Sequence, residues 1–151
     1  MVKTMMTMDH AGKRVMDAGC GTAILSILAS KLGAREVEAF DIDEWSVENG
    51  NENAEINQCR NINIQQGKIA EVHLSGSFDI VLANINKNVL LDEMESYASR
   101  LNRGGLLLLS GFLTLDIPDL LAEASRHSLT EARRDQRDTW ASLLLRQDPK
   151  K

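Results

Sequence analysis

The stretch VMDAGCGTA, Val15 to Ala23, decides the fold of this chain. An apolar strand ends in it, Gly19 and Gly21 then permit a tight turn with a ligand close to the backbone, and a helix follows. Asp41 stands at the end of the next apolar segment, about 20 residues after the first glycine. There its carboxylate is placed to accept hydrogen bonds from the two hydroxyls of a ribose. The spacing therefore predicts a nucleoside-binding turn in an α/β fold.

Two features of this turn favour S-adenosylmethionine over NAD as the ligand. A dinucleotide turn carries a third glycine at the position of Ile24, and a bulky side chain there is expected to hold strand and helix apart and to oppose a pyrophosphate. Asp17, just before the turn, places a negative charge where phosphates would approach. That charge suits a ligand with a sulfonium and an ammonium group. A glycine turn that binds nothing is the remaining alternative.

The rest of the chain alternates predicted strands and helices. The helix after the turn is predicted to carry Ile24, Leu25, Leu28 and Leu32 on its inner face and to end at Gly33. Two strands near residues 129–133 and 139–146 follow each other without a helix, which suggests an antiparallel hairpin at one edge. The alternation predicts one domain, residues 1–151, built as a three-layer α/β sandwich with a mostly parallel sheet.

Composition excludes several classes of protein. The net charge is −5 and the sequence pI is about 5.2, which gives no electrostatic footprint for nucleic acid or anionic lipid. The longest apolar stretch, residues 106–115, is too short to span a bilayer. Cys20 and Cys59 form no metal-ligand or disulfide motif. We therefore expect a cytoplasmic protein that contacts neither membrane nor nucleic acid, and nothing in the sequence specifies its oligomeric state.

A second informative segment is VLANIN, residues 81–86, a predicted core strand that ends in amides. In an open α/β sheet, ligands bind beyond the carboxyl ends of the strands where the strand order reverses. If this strand neighbours the one before Gly19, Asn84 and Asn86 emerge beside the cofactor. An Asn oxygen then accepts N–H bonds from a neutral amine and aims its lone pair at a methyl group. The alternative, a cap on the following helix, is the stronger interpretation for Asn86.

No rival chemistry is visible in the sequence. The three histidines are scattered without a Ser or Cys partner and are expected to be surface or packing residues: His10, His73 and His127. Cys20 is expected to be a small turn residue rather than a nucleophile. Asp43 and Glu44 suit the start of a helix, so we predict no metal site there.

With these residues in place, the chain resembles a class I S-adenosylmethionine-dependent methyltransferase, and more closely the catalytic domain of the ribosomal protein L11 methyltransferases. The stretches that carry the resemblance run from about Gly12 to Arg146 in family order: GKRVMDAGCGTAILSILASKLGA, EAFDID, FDIVLANIN, RGGLLLLSGFL and DTWASLLL. Many methyltransferases share the first stretch. The combination with ANIN and the D-T-W strand narrows the resemblance to this family.

The resemblance implies a Rossmann-like methyltransferase fold with a seven-stranded sheet in the order 3-2-1-4-5-7-6 and strand 7 antiparallel. It implies that Asn84 contacts the cofactor, and that such enzymes methylate lysine side chains and the N-terminal amine of a large-subunit ribosomal protein. We expect Asn84 to be catalytic. The expected contacts with S-adenosylmethionine come from Asp17, Gly19, Gly21, Asp41, Ile42 and Asn84. The alternatives are a methyltransferase for another nitrogen acceptor, either a small molecule or a nucleobase, and a non-catalytic module that binds an adenosyl ligand.

The chain departs from the family pattern in two ways. An N-terminal substrate-recognition domain and a His-x-Thr-Thr segment, which family members carry before the VKTMMTM helix, are not in this sequence. We therefore expect a catalytic domain alone, with weakened cofactor binding and activity. Lys68 stands where many methyltransferases have an acid that accepts a hydrogen bond from the adenine amino group. Backbone groups near Lys68 and Ile69 are expected to serve instead.

Overall fold

The computed structural model of the protein describes residues 1–148. These residues form two compact units, residues 2–76 and residues 77–148 together with Met1. Within residues 1–148, no helix combines the length and the apolar composition needed to cross a lipid bilayer.

The unit of residues 2–76 alternates helices and strands: α1 (Val2–Met5), β1 (Arg14–Ala18), α2 (Ile24–Lys31), β2 (Glu36–Asp41), α3 (Glu44–Ile56) and β3 (Ile62–Gln66). Strand β2 pairs in parallel with β1 on one side and with β3 on the other. A buried cluster of Cys20, Ala23, Ala39 and Ile64 packs the turn after β1 against β2 and β3. The apolar strands and this cluster fix the position of the glycine turn.

The unit of residues 77–148 contains β4 (Phe78–Asn84), α4 (Lys87–Arg100), β5 (Leu101–Leu113), a 3₁₀ turn (Thr114–Asp116), α5 (Ile117–Arg126), β6 (Leu129–Arg137) and β7 (Trp140–Gln147). Strands β4 and β5 are parallel, whereas β7 runs antiparallel to both β5 and β6. The seven strands are ordered β3-β2-β1-β4-β5-β7-β6. The predicted fold class, strand order and edge hairpin are confirmed.

Helix α2 differs from its prediction in the face that it buries. Ile24 was expected to face inward, but its side chain is 64% exposed, and the fully buried residues of the helix are Ser26 and Ala29. Small side chains allow the helix to approach the sheet closely, so Ile24 does not hold strand and helix apart as predicted. The C-terminal cap is confirmed, because the N–H of Gly33 donates to the Ser30 carbonyl and that of Ala34 to the Ala29 carbonyl, both at 3.1 Å.

The edge strand β6 is highly charged and irregular. Arg133 Nε lies 3.0 Å from Asp135 Oδ2, and Arg134 donates to Glu131 at 2.9 Å. The pairing of β6 with β7 shifts register between Glu131 and Arg133. Most of the strand is exposed. The charged side chains of this edge strand therefore face solvent.

Replacing Gly111 tests the tightest backbone approach in residues 77–148. Gly111 has φ +92°, and a Cβ on it would lie 2.7 Å from the Ile85 carbonyl oxygen. We expect Gly111→Ala to lower the free energy of unfolding by about 2 kcal/mol, through left-handed backbone strain and the clash together. Urea denaturation measures the loss. Gly104→Ala is the control, because its φ is +72° with no atom within 4 Å of the added Cβ. Equal losses in the two variants would contradict a role for the clash.

Candidate functional site

The glycine turn after β1 is open on the side that a ligand would approach. Gly19 and Gly21 have φ of +65° and +54°, values that side-chain-bearing residues rarely adopt. The Cys20 N–H donates to the Phe40 carbonyl at 3.0 Å, which ties the turn to β2. A Cβ on Gly21 would meet no atom within 4 Å. The turn is therefore held in place by its neighbours while its backbone remains accessible.

Asp41 links this turn to the start of α3. Its Oδ2 accepts the Gly21 N–H at 2.8 Å, and its Oδ1 accepts the Asp43 N–H at 2.9 Å. Each carboxylate oxygen can accept a further hydrogen bond, because it carries two lone pairs. The half-buried carboxylate is therefore oriented by backbone groups and still able to accept two ribose hydroxyls. The structure thus brings together Gly21 and Asp41, as the spacing predicted.

Helix α3 supports the turn through two residues that the sequence reasoning missed. The Asn53 amide donates to the Thr22 carbonyl at 3.0 Å. A Cβ on Gly50 would lie 3.0 Å from Ile64 Cδ1 and 3.3 Å from Ala23 Cβ, so a larger residue would force its neighbours to shift. A glycine inside a helix is unfavourable. Its presence in the predicted helix was the available signal of a close contact.

Asp17 lies beneath the turn rather than on its surface. It is 1% exposed, and its Oδ2 accepts the Ser26 hydroxyl at 2.7 Å. Burial raises the pKa of Asp17 to about 7, the two Ser26 hydrogen bonds oppose this rise, and the negative Asp41 adds to it. Asp17 therefore exists in both charged and neutral forms at neutral pH. As a cofactor-binding residue it stays a prediction, and from this position it would act through its charge.

Two exposed apolar side chains follow Asp41 in the sequence. Ile42 is 66% exposed and Trp45 is 64% exposed, so both present apolar surface to the solvent. Trp45 lies in the first turn of α3, where its N–H donates to the capping carboxylate of Asp43 at 3.2 Å. Ile42 was among the predicted contacts, whereas Trp45 was missed. A tryptophan next to a helix cap, outside any apolar periodicity, was the signal for it.

The loop after β3 changes the expectation for Lys68. The Lys68 N–H donates to Glu71 Oε1 at 2.8 Å, and the Lys68 carbonyl accepts from the N–H groups of Glu71 and Val72 at 2.8 and 3.1 Å. Both backbone groups of Lys68 thus have partners within their own loop. The contact of backbone groups near Lys68 and Ile69 with an adenine stays a prediction.

In residues 77–148, the structure separates the two asparagines of VLANIN. Asn86 Oδ1 accepts the Val89 N–H at 3.1 Å and caps α4, so the capping alternative holds for this residue. Asn84 ends β4 with an exposed side chain, and its Oδ1 accepts the Ser110 hydroxyl at 2.9 Å. Asn84 is therefore not a helix cap, and its catalytic role stays a prediction.

Two large apolar side chains that the sequence reasoning missed lie close to the end of β5. Leu115 is 73% exposed and Trp140 is 57% exposed. Trp140 pairs with Leu113 at the last position of β5, three residues beyond Ser110. Asn84 pairs with Ser110, so Asn84 and Trp140 both lie toward the C-terminal end of β5.

The histidines and Cys20 have the structural roles predicted for them. His10 is buried with its Nδ1 donating to the Met8 carbonyl at 3.1 Å, and His73 is exposed. His127 Nε2 lies 2.7 Å from Glu123 Oε2 within α5 and its cap. Burial, with the nearby negative charges of Asp17 and Asp41, raises the pKa of the Cys20 thiol. A raised pKa makes this thiol a poor nucleophile.

Comparison with known proteins gives a family match and similar curated relatives. The family model described as Ribosomal protein L11 methyltransferase (PrmA) matches residues 1–148. The ribosomal protein L11 methyltransferase of Porphyromonas gingivalis is 47% identical over 151 residues, which are 100% of this chain and 52% of that protein. The chain spans about half the length of the curated relatives it matches.

Solved structures of methyltransferases share this fold. The ribosomal protein L11 methylase of Lactobacillus delbrueckii subsp. bulgaricus matches with a TM-score of 0.87 at 31% identity, over 97% of this chain and 74% of that chain. A second match is magnesium protoporphyrin IX methyltransferase from Synechocystis PCC 6803, solved with bound S-adenosylhomocysteine (SAH). Its TM-score is 0.77 at 21% identity, over 97% of this chain and 80% of that chain. This likeness shows the fold alone. The chain therefore belongs to the ribosomal protein L11 methyltransferase (PrmA) family.

Proposed function

We propose that this chain binds S-adenosylmethionine and transfers methyl groups from it to amine nitrogens of ribosomal protein L11. The observation that carries the proposal is the Asp41 carboxylate, held by the N–H groups of Gly21 and Asp43 beside an open glycine turn. Such an acid at the end of the second strand suits a ribose. The family supplies the substrate, because the curated relatives are named for L11. A ribosomal protein substrate implies a cytoplasmic site of action.

The residues present fit an adenosyl ligand. Asp41 has lone pairs left for two hydroxyls, and the exposed Ile42 and Trp45 offer apolar surface for a ring system. Gly19 and Gly21 let a ligand approach the backbone. The buried Asp17, in its ionised form, adds negative charge beneath the turn, which favours a cationic ligand over a phosphate. The Synechocystis enzyme, which shares this fold, has an adenosyl ligand, SAH, bound in its own structure.

The acceptor side of the reaction needs positioning more than a strong base. When bound, S-adenosylmethionine would supply the methyl group. The amine nitrogen would form a bond to the methyl carbon while the bond between that carbon and sulfur breaks, and both electrons of the broken bond would stay on sulfur. The methylated amine would then lose a proton to water. In this proposal Asn84 Oδ1 accepts an N–H of the neutral amine and so directs its lone pair. The exposed Leu115 and Trp140 lie near the C-terminal end of β5, as Asn84 does, and provide apolar surface for the substrate protein.

The test begins with calorimetric titration of the chain with S-adenosylmethionine, S-adenosylhomocysteine and NAD. We expect saturable binding of both adenosyl ligands and none of NAD. The chain is then incubated with ribosomal protein L11 and methyl-labelled S-adenosylmethionine, and the full-length Porphyromonas gingivalis relative serves as positive control. Label in L11 amines supports the proposal.

Other outcomes of this test separate the alternatives. Binding of the adenosyl ligands without any label transfer, while the full-length relative is active, indicates a binding module that needs the rest of the protein for turnover. Binding of NAD, or binding of none of the three ligands, overturns the cofactor assignment. Label transferred to a small amine or a nucleobase but not to L11 overturns the substrate assignment.

A further inference from the structure

We propose that Ser110 is a positioning residue for methyl transfer, because its hydroxyl fixes the rotation of the Asn84 side-chain amide. The inference rests on the function proposed above and adds a residue that the sequence reasoning did not consider. Ser110 itself does not contact the substrate in this scheme. It acts by keeping Asn84 Oδ1, rather than the amide nitrogen, available to an acceptor amine.

The geometry around Ser110 suits this role. Asn84 and Ser110 are directly paired in the parallel register of β4 and β5, and Ser110 Oγ lies 2.9 Å from Asn84 Oδ1. Ser110 is only 8% exposed, and its carbonyl accepts the Ile85 N–H at 3.1 Å. The serine is therefore fixed by the sheet, whereas the Asn84 side chain that it holds is exposed.

The hydroxyl proton of Ser110 has two acceptors within reach. Besides Asn84 Oδ1, the Met1 Sδ lies 3.1 Å from Ser110 Oγ. A hydroxyl has a single proton, and a thioether is a weak acceptor compared with an amide oxygen. The proton is therefore directed to Asn84, and the second lone pair of Oδ1 is left for an N–H of the substrate.

An exposed asparagine without such a partner would not present its oxygen reliably. Rotation about the last torsion of Asn is broad and roughly two-fold, so the oxygen and the NH₂ group exchange places at little cost. An amide that presents its NH₂ group offers donors to an amine whose lone pair must stay free for the methyl carbon. Gly111 adds to the constraint, because a Cβ there would lie 3.0 Å from Asn84 Oδ1. The end of β5 therefore both admits the Asn84 side chain and orients it.

The experiment compares Ser110→Ala, Ser110→Thr and Ser142→Ala. Ser142 pairs with Ser110 on β7 and is 6% exposed, so its replacement controls for the loss of a buried hydroxyl in the same sheet. We expect Ser110→Ala to lower kcat for L11 methylation by about 10-fold, the effect of one lost hydrogen bond. The Kd of S-adenosylhomocysteine should change by less than about twofold. Ser110→Thr keeps the hydroxyl, so its kcat should lie within about threefold of that of the unsubstituted chain. Ser142→Ala should have the same kcat as the unsubstituted chain.

Three results would overturn the proposal: an unchanged kcat in Ser110→Ala, an equal loss in the alanine and threonine variants, or a parallel loss of S-adenosylhomocysteine binding. If the unsubstituted chain methylates nothing, the proposed function has failed, and a readout without turnover decides the role of Ser110. Nuclear magnetic resonance of the Asn84 side-chain amide, identified by its loss in Asn84→Asp, should show a rigid group. The Asn84 amide should become mobile in Ser110→Ala but not in Ser142→Ala. Equal mobility in the unsubstituted chain and in both variants would again overturn the role of Ser110.

Discussion

A chain carrying Asp41→Asn is expected to bind S-adenosylhomocysteine at least about 100-fold more weakly than the unsubstituted chain. Asp41 receives N–H groups on both of its oxygens, from Gly21 and Asp43. An amide has one acceptor oxygen, so its NH₂ group must face one of these donors and disturb either the turn or the start of α3. The two charge-assisted hydrogen bonds proposed between Asp41 and the ribose would also be lost, each worth roughly 1.5–3 kcal/mol.

Calorimetric titration measures this loss of affinity, and thermal unfolding establishes that the variant is folded. Asp43→Asn is a matched control, because it removes the same charge two residues away from a carboxylate that accepts from the Trp45 N–H and the Ser46 hydroxyl. Its affinity should stay within about threefold of the unsubstituted chain, since this exposed cap makes no bond to the turn. An Asp41→Asn chain that binds within tenfold, or equal losses in the two variants, would count against the ribose assignment.

The second large effect concerns Asp17 and pH. We expect the free energy of unfolding of the unsubstituted chain to fall by about 3 kcal/mol relative to Asp17→Asn between pH 5 and pH 9. Burial raises the pKa of Asp17 from 3.8 to about 7 in the folded protein. Below the lower value both states hold the proton and nothing is lost. Between the two values only the unfolded state releases it, so stability falls as pH rises and the loss is complete above the folded pKa.

Urea denaturation at pH 5, 7 and 9 tests this dependence. Asp17→Asn serves as the reference, because the difference between the two chains cancels the titration of groups that they share. Ser26→Ala provides a second check, since it removes the hydroxyl that donates to Asp17 at 2.7 Å and so should move the loss of stability to higher pH. A difference that does not change with pH would show that Asp17 is ionised throughout.

The sequence pattern was sufficient for the turn and the acid that follows it, whereas the strand order came from the resemblance to a known family. The turn requires glycine where φ is positive, and an acid that binds a ribose would have to end the following strand, so both occupy fixed positions in the sequence. The spacing placed Asp41 near the turn, but the hydrogen bond that it accepts from the Gly21 N–H was not predicted. The edge hairpin was also predictable, because β6 and β7 follow each other without a helix.

Other features depend on packing that periodicity does not record. Ile24 was expected to be buried because apolar residues usually face the core, yet close helix packing placed Ser26 there and gave it Asp17 as a partner. The high pKa of Asp17 follows from that burial and was equally invisible in the sequence. Asn84 and Asn86 are the same residue type two positions apart, and only the start of α4 at Lys87 makes one of them a cap.

The charged edge strand β6 has a consequence for how the chain behaves in concentrated solution. An unpaired strand edge is a template on which another copy can extend the sheet, which is a common route to aggregation. On β6 an added strand would have to cover ion pairs such as that of Arg133 and Asp135, and the register shift after Glu131 breaks the regular row of backbone groups that it would need. The leucine-rich strand β5 lies two positions inward, shielded from other chains by this hairpin. Strand β6 thus disfavours extension of the sheet by a second copy of the chain.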